Sequence, residues 1–274
     1  WSPDSKWLAF DQGLDNTNSA IFLYDVQAGE ARQATSGFYQ DSYPVFSTDG
    51  KYLFYLTNRN LSAVYSDLDG TWVYPNATHI ASVSLTKEAP SLLHPKNDEL
   101  ELEEAKEGEE KQKEETDDEG EEEEEEEMTV EIELEGLESR LTLLPPKPGN
   151  IGAIMAFEGK LVYLRAPNTG SAEESNSLMV YDLKEREEKT ILEEVEGAVI
   201  TADGKHLLVR SKGKYGIIKP EAEQKIKDPI PTGDLAMDLV PREEWRPIFM
   251  DTWRRHRDFF YDADMHGVDW DGLR

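Results

Sequence analysis

The sequence predicts a mainly β chain, a partial β-propeller of three to four four-stranded blades followed by a short α-helical segment. Three observations carry this. A hairpin motif recurs, as WSPDSKWLAF at 1–10, FSTDGKYLFY at 46–55 and ITADGKHLLV at 200–209, with a looser copy, MAFEGKLVYL, from Met155. Its acidic marker steps by 45 residues from Asp4 to Asp49 and by 45 again from Glu158 to Asp203, with 109 between Asp49 and Glu158. After Pro231 the alternation of a strand gives way to the period of a helix.

Each copy of the motif reads as an apolar strand end, a polar turn at Asp-Gly-Lys or Glu-Gly-Lys, and a second strand of apolar character. A second hairpin accompanies it: IFLYDVQAGEARQAT at 21–35 turns at Gly29, and LMVYDLKEREEKTIL at 178–192 turns between Lys184 and Glu187. Two hairpins per period make four antiparallel strands, the content of one propeller blade. A meandering β-sandwich also has short strands and Gly-rich turns, but it lacks a fixed period. Within the propeller, Trp1, Phe22 and Phe46 are expected to pack blade against blade.

The long interval holds an acidic insertion. From Asp98 to Glu127, 20 acidic residues stand against Lys106, Lys111 and Lys113, so these 30 residues carry −17 of the net −29. Such a stretch buries too little apolar surface to offset the entropy of ordering it, and it is expected to be solvated and disordered rather than a calcium site or a docking arm. Strand patterning resumes with VEIELEGLESRLTLLP at 130–145, and PPKPGN from Pro145 marks the passage to the next blade. The expected organisation is propeller blades over 1–95, the acidic insertion over 96–128, further blades over 129–236 and a helical segment over 237–274. An acidic surface repels phosphate backbones, which argues against a nucleic-acid partner.

In the last segment Trp245, Ile248, Phe249, Trp253 and Phe260 fall on one helical face, and Glu243 and Glu244 suit a helix amino terminus. Pro247 is expected to mark a kink or the true first turn. Gly267 is the expected stop, and Val268 to Arg274 the start of a further helix.

Chemistry is sparse. With no cysteine there is neither a disulfide nor a thiolate nucleophile, and none of His79, His94, His206, His256 and His266 has a partner at metal-ligand spacing. No Gly-x-Ser-x-Gly elbow and no phosphate-cradling glycine loop occurs. DLDG at 67–70 reads as a hairpin turn, lacking the further ligands of a calcium loop. Asn60 and Asn76 begin glycosylation sequons that matter only in a eukaryotic secretory setting. Ionisable groups crowd at Arg254, Arg255, His256, Arg257, Asp258, Asp262, Asp264 and His266, yet His266 has no identifiable nucleophile to serve, so helix-end Arg–Asp pairing is expected instead. No catalytic, cofactor-binding or metal-ligating residue is assigned. No run of eighteen apolar residues occurs, so no membrane span is expected.

EEWRPIFMDTWRRHRDFFYDADMHGVDW, from Glu243 to Trp270, closely resembles the start of the first catalytic subdomain in bacterial homologs of tricorn protease. VYSDLDGTWVYPNATHIASVSLTKEAPSLL at 64–93 and IELEGLESRLTLLPPKPGNI at 132–151 are similar to the closing blades of that family's second propeller. The resemblance implies a large multidomain serine protease acting on oligopeptides, in which propellers filter substrates and the charge-relay His, the Ser and the Glu lie outside this chain. His266 falls in the wrong motif to be that histidine. The same resemblance leads us to expect a piece of an unclosed propeller, inactive alone, from a cytoplasmic homo-oligomer with peptides as partners. Two other readings stand beside it: a TolB-like propeller serving as a binding module, and the propeller cap of a prolyl-oligopeptidase-type hydrolase. The first should end at its last blade, and the second should continue into a parallel sheet.

Overall fold

A computed structural model describes residues 1–59, 63–68, 70–94 and 129–274. The expected solvated insertion, 96–128, therefore lies outside the described residues. These divide into two compact units, Trp1–Ile230 and Pro231–Arg274.

In the first unit β1 (Trp7–Gly13), β2 (Ser19–Asp25) and β3 (Glu30–Gln33) form an antiparallel meander. The next sheet opens with β4 (Asp41–Phe46) and β5 (Tyr52–Thr57). The chain then makes a separate hairpin, β6 (Val64–Ser66) and β7 (Thr71–Val73), before β8 (His79–Ser84) and β9 (Leu141–Leu143) complete the sheet in the order β4-β5-β8-β9. A third sheet runs β10 (Asn150–Phe157), β11 (Lys160–Ala166), β12 (Ser177–Asp182), β13 (Glu187–Leu192), and a fourth runs β14 (Val195–Ile200), β15 (Leu207–Ser211), β16 (Lys214–Ile218). Every pairing is antiparallel, as short connections require.

The recurring motif works by the same hydrogen bonds each time. Ser47 Oγ donates to Asp49 Oδ1 at 2.5 Å, and that oxygen accepts the Lys51 amide at 3.1 Å, while the Tyr52 amide returns to Ser47 Oγ at 2.9 Å. Ser2, Asp4, Lys6 and Trp7 repeat this set, as do Thr201, Asp203, Lys205 and His206. The residue after the Asp must be left-handed, which Gly50 and Gly204 take at φ 68 and Ser5 at φ 58. The copy at Glu158 is looser for a physical reason. It lacks the Ser/Thr and closes as a two-residue hairpin, with Phe157 paired to Lys160.

Alternation explains the core. Along β5, Leu53 and Tyr55 face the first sheet, while Tyr52, Phe54 and Leu56 face the third. Along β11, Leu161 and Tyr163 face the second sheet and Val162 faces the fourth. Both strands are therefore covered on both sides, and each fully buried large apolar side chain contributes roughly 1.5–3 kcal/mol.

Four details differ from expectation. Trp1 is exposed rather than packed, and Phe22 is half-buried, stacked on Phe10 at 5.7 Å on a face that no described sheet covers; only Phe46 is a core residue. The segment from Val130 becomes a strand only at Leu141, because its earlier backbone is engaged elsewhere: the Val130 amide donates to Asp4 Oδ2 at 2.8 Å and the Glu133 amide to the Leu85 carbonyl at 2.9 Å. The first and fourth sheets have three strands, not four. After β16 the chain leaves the sheet, the Glu223 and Gln224 amides bonding to the Thr190 and Ile191 carbonyls and Ile226 settling on Gly216. A Cβ at 216 would lie 2.5 Å from Ile226 Cγ2. Gly216→Ala is accordingly expected to cost about 1–3 kcal/mol by overpacking, read from the thermal unfolding midpoint, and an unchanged midpoint would show that Ile226 moves freely.

The second unit holds α1 (Pro241–Phe259), with Pro241 in the first turn, Glu243 and Glu244 beside it, and Pro247 inside the helix. The expected apolar face is mostly bare. Trp245, Ile248 and Phe249 are exposed, and only Trp253 is buried. The helix stops at Phe259 rather than at Gly267, and the expected second helix is a single 3-10 turn, Asp271–Leu273. Among the described residues no helix is long and apolar enough to cross a membrane.

Candidate functional site

The leading strands β4, β10 and β14 are edges of their sheets, and they gather together: β4 lies against β1, β2 and β10, and β10 against β14. In a propeller such strands line the central passage. All three carry a register slip, β14 between Val195 and Gly197, and those of β4 and β10 are alike. Between Ser42 and Val45, and between Gly152 and Met155, the register slips, with Tyr43 and Ala153 left-handed at φ 53 and 49 opposite the buried Tyr55 and Tyr163. Pro44 also removes an amide donor from β4. Neither edge then offers a continuous ladder to which a passing peptide could add as a strand.

Each of these tyrosines adjoins an ionic cluster. Asp41, the first residue of β4, is wholly buried, and Arg59 Nη2 lies 3.3 Å from its Oδ2 and 2.6 Å from Glu138 Oε1. The Arg59 guanidinium also sits 4.7 Å over the Tyr39 ring. Burial pushes the Asp41 carboxyl up, against the pull of Thr57, Arg59 and Thr35. Burial also acts to raise Glu138, but the bonds from Arg59 and Ser36 outweigh it and hold that carboxyl low. In the third sheet Tyr163 donates to Glu188 Oε1, which Arg165 approaches at 2.6 Å. Burial, and then that bond to Glu188, push the Tyr163 phenol up. These groups pin strand ends. None presents an activated nucleophile.

The crowd of ionisable groups in the second unit resolves into local pairs. Arg254 and Arg255 both reach Asp251, at 3.6 and 3.1 Å, and Arg257 pairs with Asp258 at 2.7 Å. His266 Nε2 meets the Tyr261 hydroxyl, while Asp262 Oδ2 lies 3.2 Å from His266 Nδ1 and accepts the His266 amide at 3.1 Å. This ring closes within six residues and fixes a turn in which Met265 and His266 are left-handed at φ 50 and 53. Among the described residues no three His, Asp or Glu side chains converge on a cation site. A cavity of about 730 Å³ is lined by Glu193, Glu194, Lys212, Lys214, Glu223 and Lys225, a mixed-sign groove without convergent chemistry.

Sequence reasoning missed Asp41, Arg59, Glu138, Arg165 and Glu188 as a set, and it took the β6–β7 segment, with its hairpin turn at 67–70, for part of a closing blade, whereas the structure makes it a separate two-stranded hairpin. Its one available signal was the Tyr in the second strand of both copies, FSTDGKYLFY and MAFEGKLVYL.

Sheets that pack face to face around gathered leading strands, followed in sequence by a small helical unit, define a partial β-propeller. The chain belongs to the tricorn protease family: the model for the tricorn protease second beta propeller domain matches residues 1–221, and that for the tricorn protease C1 domain matches 241–274. Two tricorn protease homologs of Streptomyces coelicolor are 26% and 27% identical to the whole chain, which covers 26% and 24% of them. The crystal structure of the tricorn protease shares the fold with a TM-score of 0.70 at 19% identity, over 99% of this chain and 25% of that one. The chain thus spans about a quarter of the length of these relatives.

Proposed function

We propose that this chain is the non-catalytic portion of a tricorn-type serine peptidase that degrades oligopeptides. Its propeller filters substrates on their way to an active site carried elsewhere in the parent protein. The observation that carries this reading is the succession of a second-propeller match and a C1 match along one chain. Two uncovered sheet faces support it, Phe10 with Phe22 on the first sheet and Val199, Leu208 and Ile217 on the fourth, which further blades of the parent would cover. The broken edges of β4 and β10 suit a passage that peptides traverse without being held. We place the parent in the cytoplasm as a homo-oligomer that takes peptides as partners and needs no cofactor.

The parent and this chain are to be assayed side by side on fluorogenic peptides. The parent is expected to turn them over and to lose that activity to a serine-directed phosphonate, while the purified chain alone shows no turnover. Turnover by the chain, or parent activity that resists the phosphonate, overturns the proposal.

A further inference from the structure

The hairpin between β5 and β8 belongs to no blade. Val64 pairs with Val73, Tyr65 with Trp72 and Ser66 with Thr71, and the Tyr65 and Trp72 rings meet edge to face at 5.4 Å. Since side chains alternate along a strand, Tyr65 and Trp72 occupy one face, and Val64 and Val73 the other. Both faces are bare: Trp72 is 62% and Tyr65 52% exposed on one, Val64 53% and Val73 42% on the other, and Leu68 at the turn is 98% exposed. A two-stranded hairpin of this length is marginal alone, and a cross-strand aromatic pair adds only about 0.2–1 kcal/mol. Holding so much apolar surface in water has no return within the described fold.

Both stems of the hairpin tie it to the first residues of leading strands. Arg59, just before it, bonds Asp41 at the start of β4. Just after it, Thr78 exchanges backbone hydrogen bonds with Gly149, the neighbour of Asn150 at the start of β10, and Asn76 Oδ1 accepts the Thr169 amide. The hairpin therefore stands at the strand ends where the leading strands begin, beside the mouth of the space they line. Exposed Phe38 precedes the same strand β4, and exposed Tyr43 lies within it. A further blade packs on a sheet face, not on strand ends, so another blade is not its occupant.

We propose that the β6–β7 hairpin is a docking site for extended peptides with apolar side chains and basic flanks, gripped by Tyr65 and Trp72. The peptide nature of the occupant rests on the peptidase reading. Its charge follows from the hairpin itself: among the described residues of 63–74, Asp67 is the one charged group and none is basic. Aromatic rings supply area and stacking to any apolar side chain, while the Asp67 carboxylate at the turn favours lysine or arginine over acidic segments.

The test uses the intact chain and fluorescence anisotropy with a labelled unstructured peptide rich in Leu and Phe, flanked by Lys, and its Glu-flanked twin. The Lys-flanked peptide is expected to bind, and Tyr65→Thr/Trp72→Thr to weaken it at least ~10-fold, with far-UV circular dichroism matching the wild type. If that double variant misfolds, Tyr65→Thr alone carries the test. Equal binding by the variant, or equal binding of the Glu-flanked twin, overturns the proposal. So does sedimentation showing a dimer that the variant abolishes, since the occupant would then be a second copy. Failure here leaves turnover by the parent untouched, whereas loss of parent turnover with peptide binding intact sinks the peptidase reading alone.

Discussion

Replacing Arg59 with methionine is expected to destabilise the first unit by about 3–5 kcal/mol at neutral pH, because it leaves a buried carboxylate without its cation. Asp41 is 0% exposed and Arg59 is the cation bonded to it, while the same guanidinium holds Glu138 at 2.6 Å. The pH dependence has a definite sign. Asp41 is raised in the folded state, chiefly by burial, and without Arg59 it rises further, so the penalty is complete above that raised value and shrinks as pH falls from it towards the ordinary carboxylate range. Glu138 is held low, so its contribution in the wild type is present above the ordinary carboxylate range and fades as pH falls through the lowered value. Both effects shrink the difference between wild type and Arg59→Met in acid. Urea midpoints at about pH 7 and about pH 4.5 should show the gap narrowing. A loss below ~1 kcal/mol at neutral pH, or one that widens on acidification, would refute the assignment.

The motif that made the blades legible is local chemistry. A Ser or Thr, an Asp two residues on and a left-handed residue after it close the same turn wherever they occur, so three of four sheets could be placed from a ten-residue pattern. The outer strands lack that signature and were legible only through the turns before them, at Gly29 and at Lys184 to Glu187. β3 is EARQ, fully exposed, and β9 is three residues long, so pairing to a neighbour rather than composition makes them strands. Trp1 and Phe22 failed as packing residues because an aromatic is buried only where a second sheet arrives.

The ionic cluster was illegible for a different reason. Arg59 lies 18 residues from Asp41 and 79 from Glu138, separations at which a single sequence contains no sign of pairing. The β6–β7 hairpin shows the complement: its turn at DLDG was readable, but its bareness depends on what fails to pack against it. The group on His266 Nε2 is the exposed Tyr261 phenol, five residues away, so this contact closes a turn.

Trp253→Ala is expected to melt the second unit, with a cost of about 3–5 kcal/mol for deleting a buried indole. That side chain is 4% exposed where Trp245 is 64%. Its Nε1 donates to the Trp270 carbonyl at 2.9 Å, and Trp270 Nε1 returns to the Trp253 carbonyl at 3.2 Å. The two rings stack at 6.5 Å, with the Arg257 and Arg274 guanidinium groups 5.0 and 5.5 Å from the Trp253 ring. Nothing else in α1 is buried, and a single helix with Pro247 inside it has little stability of its own. A core this small supplies no more than roughly 3–5 kcal/mol in total. Losing the indole should therefore remove the helical signal at 222 nm and open residues 241–259 to protease, while the strands of the first unit unfold at their usual midpoint. Trp270→Phe, which keeps a ring but loses the N–H donor, should cost only about 1 kcal/mol. Helix content unchanged by Trp253→Ala would mean that the exposed face of Trp245, Ile248 and Phe249 holds the helix instead.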